Sequence, residues 1–126
     1  MTCNEKRLYH ITTREEAGSV REAGHYTPEA FRDEGFIHCS YLGQVTSVAD
    51  RIFRGRDALV LLEIDRSRLE IKVVDENLEG GGELFPHLYG RLPMSALIRI
   101  HPFPCGEDGR FVLPRALENS GNSFRQ

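Results

Sequence analysis

Apolar positions along the chain fall into short runs divided by glycine, proline and charged turns. The first run, Arg7-Leu8-Tyr9-His10-Ile11-Thr12, is rich in β-formers and predicts a strand. Thr13-Arg14-Glu15-Glu16 follows as a capping box, in which the Thr13 hydroxyl accepts from the Glu16 backbone N–H and the Glu16 carboxylate reaches back. A helix to about Ala23 is expected, with Gly24 ending it. Thr27-Pro28-Glu29 puts proline at the first position of a second, short helix through Asp33, broken by Gly35. Phe36 to Ser40 reads as a short, largely buried strand. From Gln44 to Phe53 the apolar residues Val45, Val48, Ala49, Ile52 and Phe53 recur at helical spacing and share one face, and Gly55 ends that helix.

The run Ala58 to Ile64 is nearly continuously apolar and predicts a central strand buried on both faces. Asp65 to Arg68 turns the chain, and the alternating Leu69 to Val74 is expected as the hairpin partner of that strand. Asn77 to Glu83, with three consecutive glycines, reads as a flexible loop. Ala96 to Ile100 predicts another strand, and turns at Phe103-Pro104 and Asp108-Gly109 frame a short final hairpin at Arg110 to Leu113. Helices gather in the first half and strands in the second, so the fold class is α+β and not a doubly wound sheet. Neither Gly-x-Gly-x-x-Gly after a strand nor a Walker A sequence occurs, which argues against a Rossmann or P-loop site.

Length and charge narrow the picture. The chain has 126 residues, where one domain takes roughly 100–200, so residues 1–117 are expected to form a single domain and 118–126 a polar, frayed tail. A content of 28% charged and 40% apolar residues is that of a packed globular chain and argues against disorder. The formal net charge of −3 argues against general nucleic-acid binding, which needs a basic surface, but leaves room for a small nucleotide held by one or two cations. No apolar run approaches a membrane span, and Met1 to Arg7 carries no signal-peptide segment, so a cytoplasmic protein is expected. Cys3, Cys39 and Cys105 lack a C-x-x-C spacing and suggest neither a disulfide framework nor a zinc ribbon.

The chemistry concentrates in three histidine segments. His10-Ile11-Thr12 and His38-Cys39-Ser40 are both His-x-(Ser/Thr) on predicted strands. Alternation puts imidazole and hydroxyl on one face of each strand. Where the two strands pair or face one another, the four groups line one cleft able to hydrogen-bond a ribose or phosphate. In Phe85-Pro86-His87-Leu88-Tyr89-Gly90, Pro86 fixes one φ and Gly90 permits a tight turn, which holds His87 and Tyr89 on a short rigid segment. A core role, with ring nitrogens bonded to backbone carbonyls, accounts for any one of these histidines as well. Glu76, at a strand end, reads either as a carboxylate that orients a ribose hydroxyl or acts as a base, or as a solvated loop acid; Glu34 before Gly35 is similar. Arg91 is a candidate for bidentate phosphate pairing. Histidine spacings of 28 and 49 residues carry no metal signature, so no metal is predicted. Cys39 points away from its neighbour His38 on a strand, which argues against a Cys–His nucleophile.

Together, Leu8 to Thr12, Glu34 to Ser40 and Phe85 to Gly90, in that order, resemble the bacterial domain of unknown function 952 family, with Gln44 and Leu59 to Ile64 fitting the same pattern. The resemblance spans about Leu8 to Ile100. It implies an ADP-ribosyltransferase-like split sandwich of two small antiparallel sheets with peripheral helices. It also implies that His10 and Thr12 bind the ribose of NAD and that His38 to Ser40 flanks the nicotinamide region, as in RNA 2′-phosphotransferases. The Glu-x-Glu or Gln-x-Glu of many transferases has no counterpart here, and Glu76 is the nearest candidate for the catalytic acid.

The expectation is therefore a pocket for an NAD- or ADP-ribose-like ligand lined by His10, Thr12, His38, Ser40, His87, Tyr89 and Arg91. Glu76 and His38 are its catalytic candidates for ADP-ribosyl or phosphate transfer, and Tyr89 would stack on a base. Two alternatives stand beside it: a non-catalytic binding or sensor module for a phosphorylated metabolite, and an interaction domain whose histidines are structural.

Overall fold

The computed structural model describes residues 7–18, 20–77 and 82–117. The expected tail, 118–126, and part of the glycine loop lie outside the described residues. In chain order the first half comprises β1 (Arg7–Thr13), α1 (Arg14–Ala17), α2 (Val20–Ala23), β2 (His25–Tyr26), α3 (Phe31–Glu34), β3 (Ile37–His38) and α4 (Val45–Ile52). The second half comprises β4 (Leu59–Asp65), β5 (Lys72–Glu76), β6 (Phe85–Tyr89), β7 (Leu92–Pro93) and β8 (Leu97–Pro102). The strands form a three-stranded sheet in the order β1-β4-β8, a second in the order β3-β6-β5, and the pair β2-β7. All described pairings are antiparallel. The architecture is α+β, with small antiparallel sheets. Among the described residues no helix is long and apolar enough to cross a membrane.

Strand β4 organises the core. Its alternate residues Val60, Leu62 and Ile64 enter one apolar cluster with Leu8, Ile37, Leu88 and Tyr26. Leu59 and Leu61 enter another with Val45, Ala49, Phe103 and Phe111. Both faces are thus covered, which explains the unbroken apolar run; each such side chain, fully buried, contributes about 1.5–3 kcal/mol.

Several sequence expectations are corrected. The helix expected from Arg14 to Ala23 is two single turns on either side of Gly18, whose N–H donates to the carbonyls of Arg14 and Glu15 and closes α1. Glycine is a weak helix former, and here it terminates. The Thr13 cap is present, accepting from the Glu16 N–H at 3.1 Å. The helix expected from Pro28 begins three residues later, at Phe31. The chain is still committed to β2 just before, where Tyr26 pairs with Leu92. Gly35 ends α3 in the left-handed region at φ 81°, as expected.

Leu69 to Val74 does not pair with β4. Both edges of β4 are taken by β1 and β8, and Lys72–Glu76 pairs instead with β6. Asp65 directs that departure: its carboxylate accepts from the Ser67 N–H at 3.0 Å and caps a 3-10 turn leading away from the first sheet. Arg110 to Leu113 forms no strand. Phe111 is fixed instead by its N–H donating to Asp50 Oδ1 at 2.8 Å and by its ring, 4.9 Å from that of Phe103. Gly90 serves space more than conformation, since a Cβ there would lie 2.6 Å from Ile71 Cγ2.

Candidate functional site

The first two histidine segments meet where the two larger sheets join. Tyr9 and Ser40 exchange both backbone hydrogen bonds, at 2.9 and 2.7 Å, stitching β1 to the residues that follow β3. Beside that stitch the His10 Nδ1–H donates to the carbonyl oxygen of His38 at 2.6 Å. The third segment reaches the same place through β6, where His87 lies directly opposite His38 in the ladder. Pro86 stands opposite Asp75 in this inner strand, and its carbonyl accepts from the Cys39 N–H at 3.0 Å, which ties β6 to the residues after β3.

A cleft of about 480 Å³ opens at this junction, within the range of roughly 300–1,000 Å³ of small-ligand sites. Its lining brings together six of the eight residues expected to form the pocket, His10, Thr12, His38, Ser40, Glu76 and His87, and with them the other candidate acid, Glu34. Tyr89 and Arg91 are not in the lining. The Tyr89 hydroxyl donates to Glu76 Oε2 and so acts on a lining residue without itself lining the cleft. Arg91 is exposed one residue before Leu92, where the chain turns away to pair with β2.

The cleft wall contains two hydrogen-bonded networks. In the first, the hydroxyl of buried Tyr26 lies 2.8 Å from His10 Nε2 and 2.9 Å from Thr12 Oγ1. Thr12 in turn donates to Glu16 Oε1 at 2.9 Å. Both nitrogens of His10 and the hydroxyl of Thr12 thus already have partners in the wall. Burial lowers the His10 pKa from 6.5 to about 4, against the smaller opposing effects of the His38 carbonyl and the Glu16 charge, so the ring is neutral at pH 7. Burial also pushes the Cys39 thiol far above its ordinary range, which keeps it protonated and unreactive.

The second network is aromatic and acidic. Phe36 stacks on His87, with ring centroids 4.4 Å apart and planes 17° from parallel. His38 stands edge-on to both, its Nε2 3.1 Å from Glu34 Oε1. His87 Nδ1 donates to Glu76 Oε2 at 2.9 Å. Hydrogen bonds from Tyr89, and then from His87, hold the Glu76 carboxyl below its usual range, so it is ionised at neutral pH.

Sequence reasoning missed Glu16, Arg51 and Arg56, all in the lining. The signal for Arg51 lay in the α4 register, which places it in the same turn as Val48 and Ile52, two apolar positions that also line the cleft. Arg56 follows α4 and lies over the Phe53 ring, 5.6 Å from its centroid. The lining therefore carries two guanidinium groups and the carboxylates of Glu16, Glu29, Glu34 and Glu76. Among the described residues no group of three His, Cys, Asp or Glu side chains is placed to hold a metal ion.

A family model described as protein of unknown function, DUF952, matches residues 11–100. The crystal structure of protein CC0527 from Caulobacter crescentus is 31% identical and superposes with a TM-score of 0.79, over 89% of this chain and 98% of that one. The solution structure of CC0527 gives a TM-score of 0.73 at 31% identity, over 83% and 90% of the two chains. No curated protein matches the sequence.

Proposed function

The chain belongs to the DUF952 family of proteins of unknown function, and from that premise we propose that its cleft binds an NAD- or ADP-ribose-like nucleotide and supports transfer of its ADP-ribosyl group, in the cytoplasm, on an ADP-ribosyltransferase-like split sandwich. The observation that carries this reading is the convergence of His10, Thr12, His38, Ser40, Glu76 and His87 on one cleft although they come from four separated strand segments. The chemistry of the lining matches the parts of such a ligand. Arg51 and Arg56 supply charge for a diphosphate. Phe36 and His87 offer a flat aromatic wall beside ionised Glu76, which suits a cationic nicotinamide ring. Ser40 and His38 supply polar groups for ribose hydroxyls. As nicotinamide leaves, positive charge develops on the ribose, and the Glu76 carboxylate stabilises it electrostatically.

Amide-resolved NMR titration of the protein with NAD, ADP-ribose and nicotinamide tests the assignment. Shifts clustered at residues 10–12, 38–40 and 85–87 support it. An unchanged spectrum at millimolar ligand refutes it. A second reading, binding of a phosphorylated metabolite without turnover, is favoured by the polar atoms of His10 and Thr12 being already bonded within the wall. Binding of ADP-ribose with no release of nicotinamide from NAD decides for that reading.

A further inference from the structure

We propose that His87 is a general base in the cleft, with Glu76 as the residue that positions it. The proposal takes its reactants from the NAD reading above. Its geometric basis does not depend on that reading.

His87 is 3% exposed and lines the cleft. Its Nδ1–H donates to the Glu76 carboxylate, which fixes the proton of the neutral ring on Nδ1 and leaves a lone pair on Nε2. Among the described residues, Nε2 has no hydrogen-bond partner, and no fully buried side-chain nitrogen or oxygen lacks one. Nε2 is therefore reached from the cleft. The ring is held in place by Phe36 on its face and His38 at its edge. This is the arrangement a base requires: an orienting carboxylate on one nitrogen, an open lone pair on the other, and a ring that cannot turn. By contrast, both nitrogens of His10 are occupied, and His38 is bonded to Glu34 at the exposed rim.

The charged and titratable groups around the dyad come from four elements. They are Glu76 and Lys72 on β5, Tyr89 on β6, His38 on β3 and Glu34 on α3. In the transfer step an acceptor hydroxyl, or water, gives its proton to His87 Nε2 as its oxygen bonds to the anomeric carbon of the nicotinamide ribose. The bond from that carbon to the pyridinium nitrogen breaks, and its electron pair leaves the released nicotinamide neutral.

Two measurements test the assignment. Long-range proton–nitrogen spectra of the ligand-free, histidine-labelled chain, at a pH where the ring is neutral, should show His87 as the Nδ1–H tautomer. Glu76→Gln should shift it toward Nε2–H. An Nε2–H tautomer in the unmodified protein overturns the proposal, whatever ligand the cleft takes. In turnover, His87→Gln should lower kcat for nicotinamide release from NAD about 100-fold or more, and a kcat within threefold of the unmodified protein's overturns the base. An unmodified protein inert toward NAD, yet with the Nδ1–H tautomer, overturns the NAD reading and supports the base.

Discussion

His38 and His87 face one another across the β3–β6 ladder, with 5.0 Å between ring centroids and their planes nearly perpendicular. One antiparallel pairing thereby joins the second and third histidine segments of the chain, which lie 49 residues apart. The His10 Nδ1–H, donated to the His38 carbonyl, adds the first segment. The cleft is thus built on the junction of two sheets, and its geometry and the stability of the fold share residues.

Tyr26 tests that sharing most directly. Its hydroxyl is the common neighbour of His10 Nε2 and Thr12 Oγ1 and lies 3.3 Å from Glu16 Oε1. Tyr26→Phe keeps the packing and leaves these buried groups short of one partner. Urea unfolding should show a loss of about 1–3 kcal/mol with an unchanged m-value.

Acid should weaken the fold through His10. Its folded-state pKa is about 4, below the ordinary 6.5, because burial disfavours the imidazolium. Between those values the unfolded chain takes up a proton that the folded chain does not. Stability from this group is therefore full above pH 6.5 and is lost as pH falls toward 4, by about 3 kcal/mol in all. Unfolding free energies measured at pH 7 and 4.5 should differ accordingly, and His10→Gln should flatten the difference.

Gly90→Ala should be destabilising by about 1–3 kcal/mol through overpacking, because the new methyl meets Ile71 Cγ2 at 2.6 Å and Ile71 Cβ at 3.0 Å. In an Ile71→Ala background the same change should cost much less. A double-mutant cycle on thermal unfolding reads the coupling, and additive effects would show that the clash is not the cause.

The arginines that line the cleft should matter for phosphate and not for the base. Arg51→Ala and Arg56→Ala should each weaken ADP-ribose binding about tenfold, equivalent to about 1.4 kcal/mol, and reduce its salt dependence. Nicotinamide binding by calorimetry should be unaffected. Equal losses for both ligands would mean that the arginines shape the cleft and do not contact phosphate.

The sequence disclosed the elements more readily than their partners. The unbroken run in β4 revealed a strand covered on both faces, and the i, i+3, i+4 spacing revealed α4. Local pattern could not reveal that β5 pairs with β6, because that choice depends on β1 and β8 having filled both edges of β4. Six of the candidate residues converge because alternation within a strand fixes which side chains share a face. Arg51 and Arg56 were hidden because many arginines occur in the chain and only the placement of α4 selects these two. Tyr26 was hidden because its role depends on partners 10 to 16 residues away in sequence.

Helix α4 carries one more consequence. Its apolar stripe is only partly used in packing: Val45 and Ala49 are buried, while Val48 lines the cleft and Ile52, also in the lining, is 52% exposed. A ligand that seats in the cleft and covers these two side chains dehydrates apolar surface, and its binding enthalpy should become more favourable as temperature rises. The stripe thus supplies a calorimetric signature, a negative heat-capacity change, by which a true occupant differs from one that touches only the charged rim.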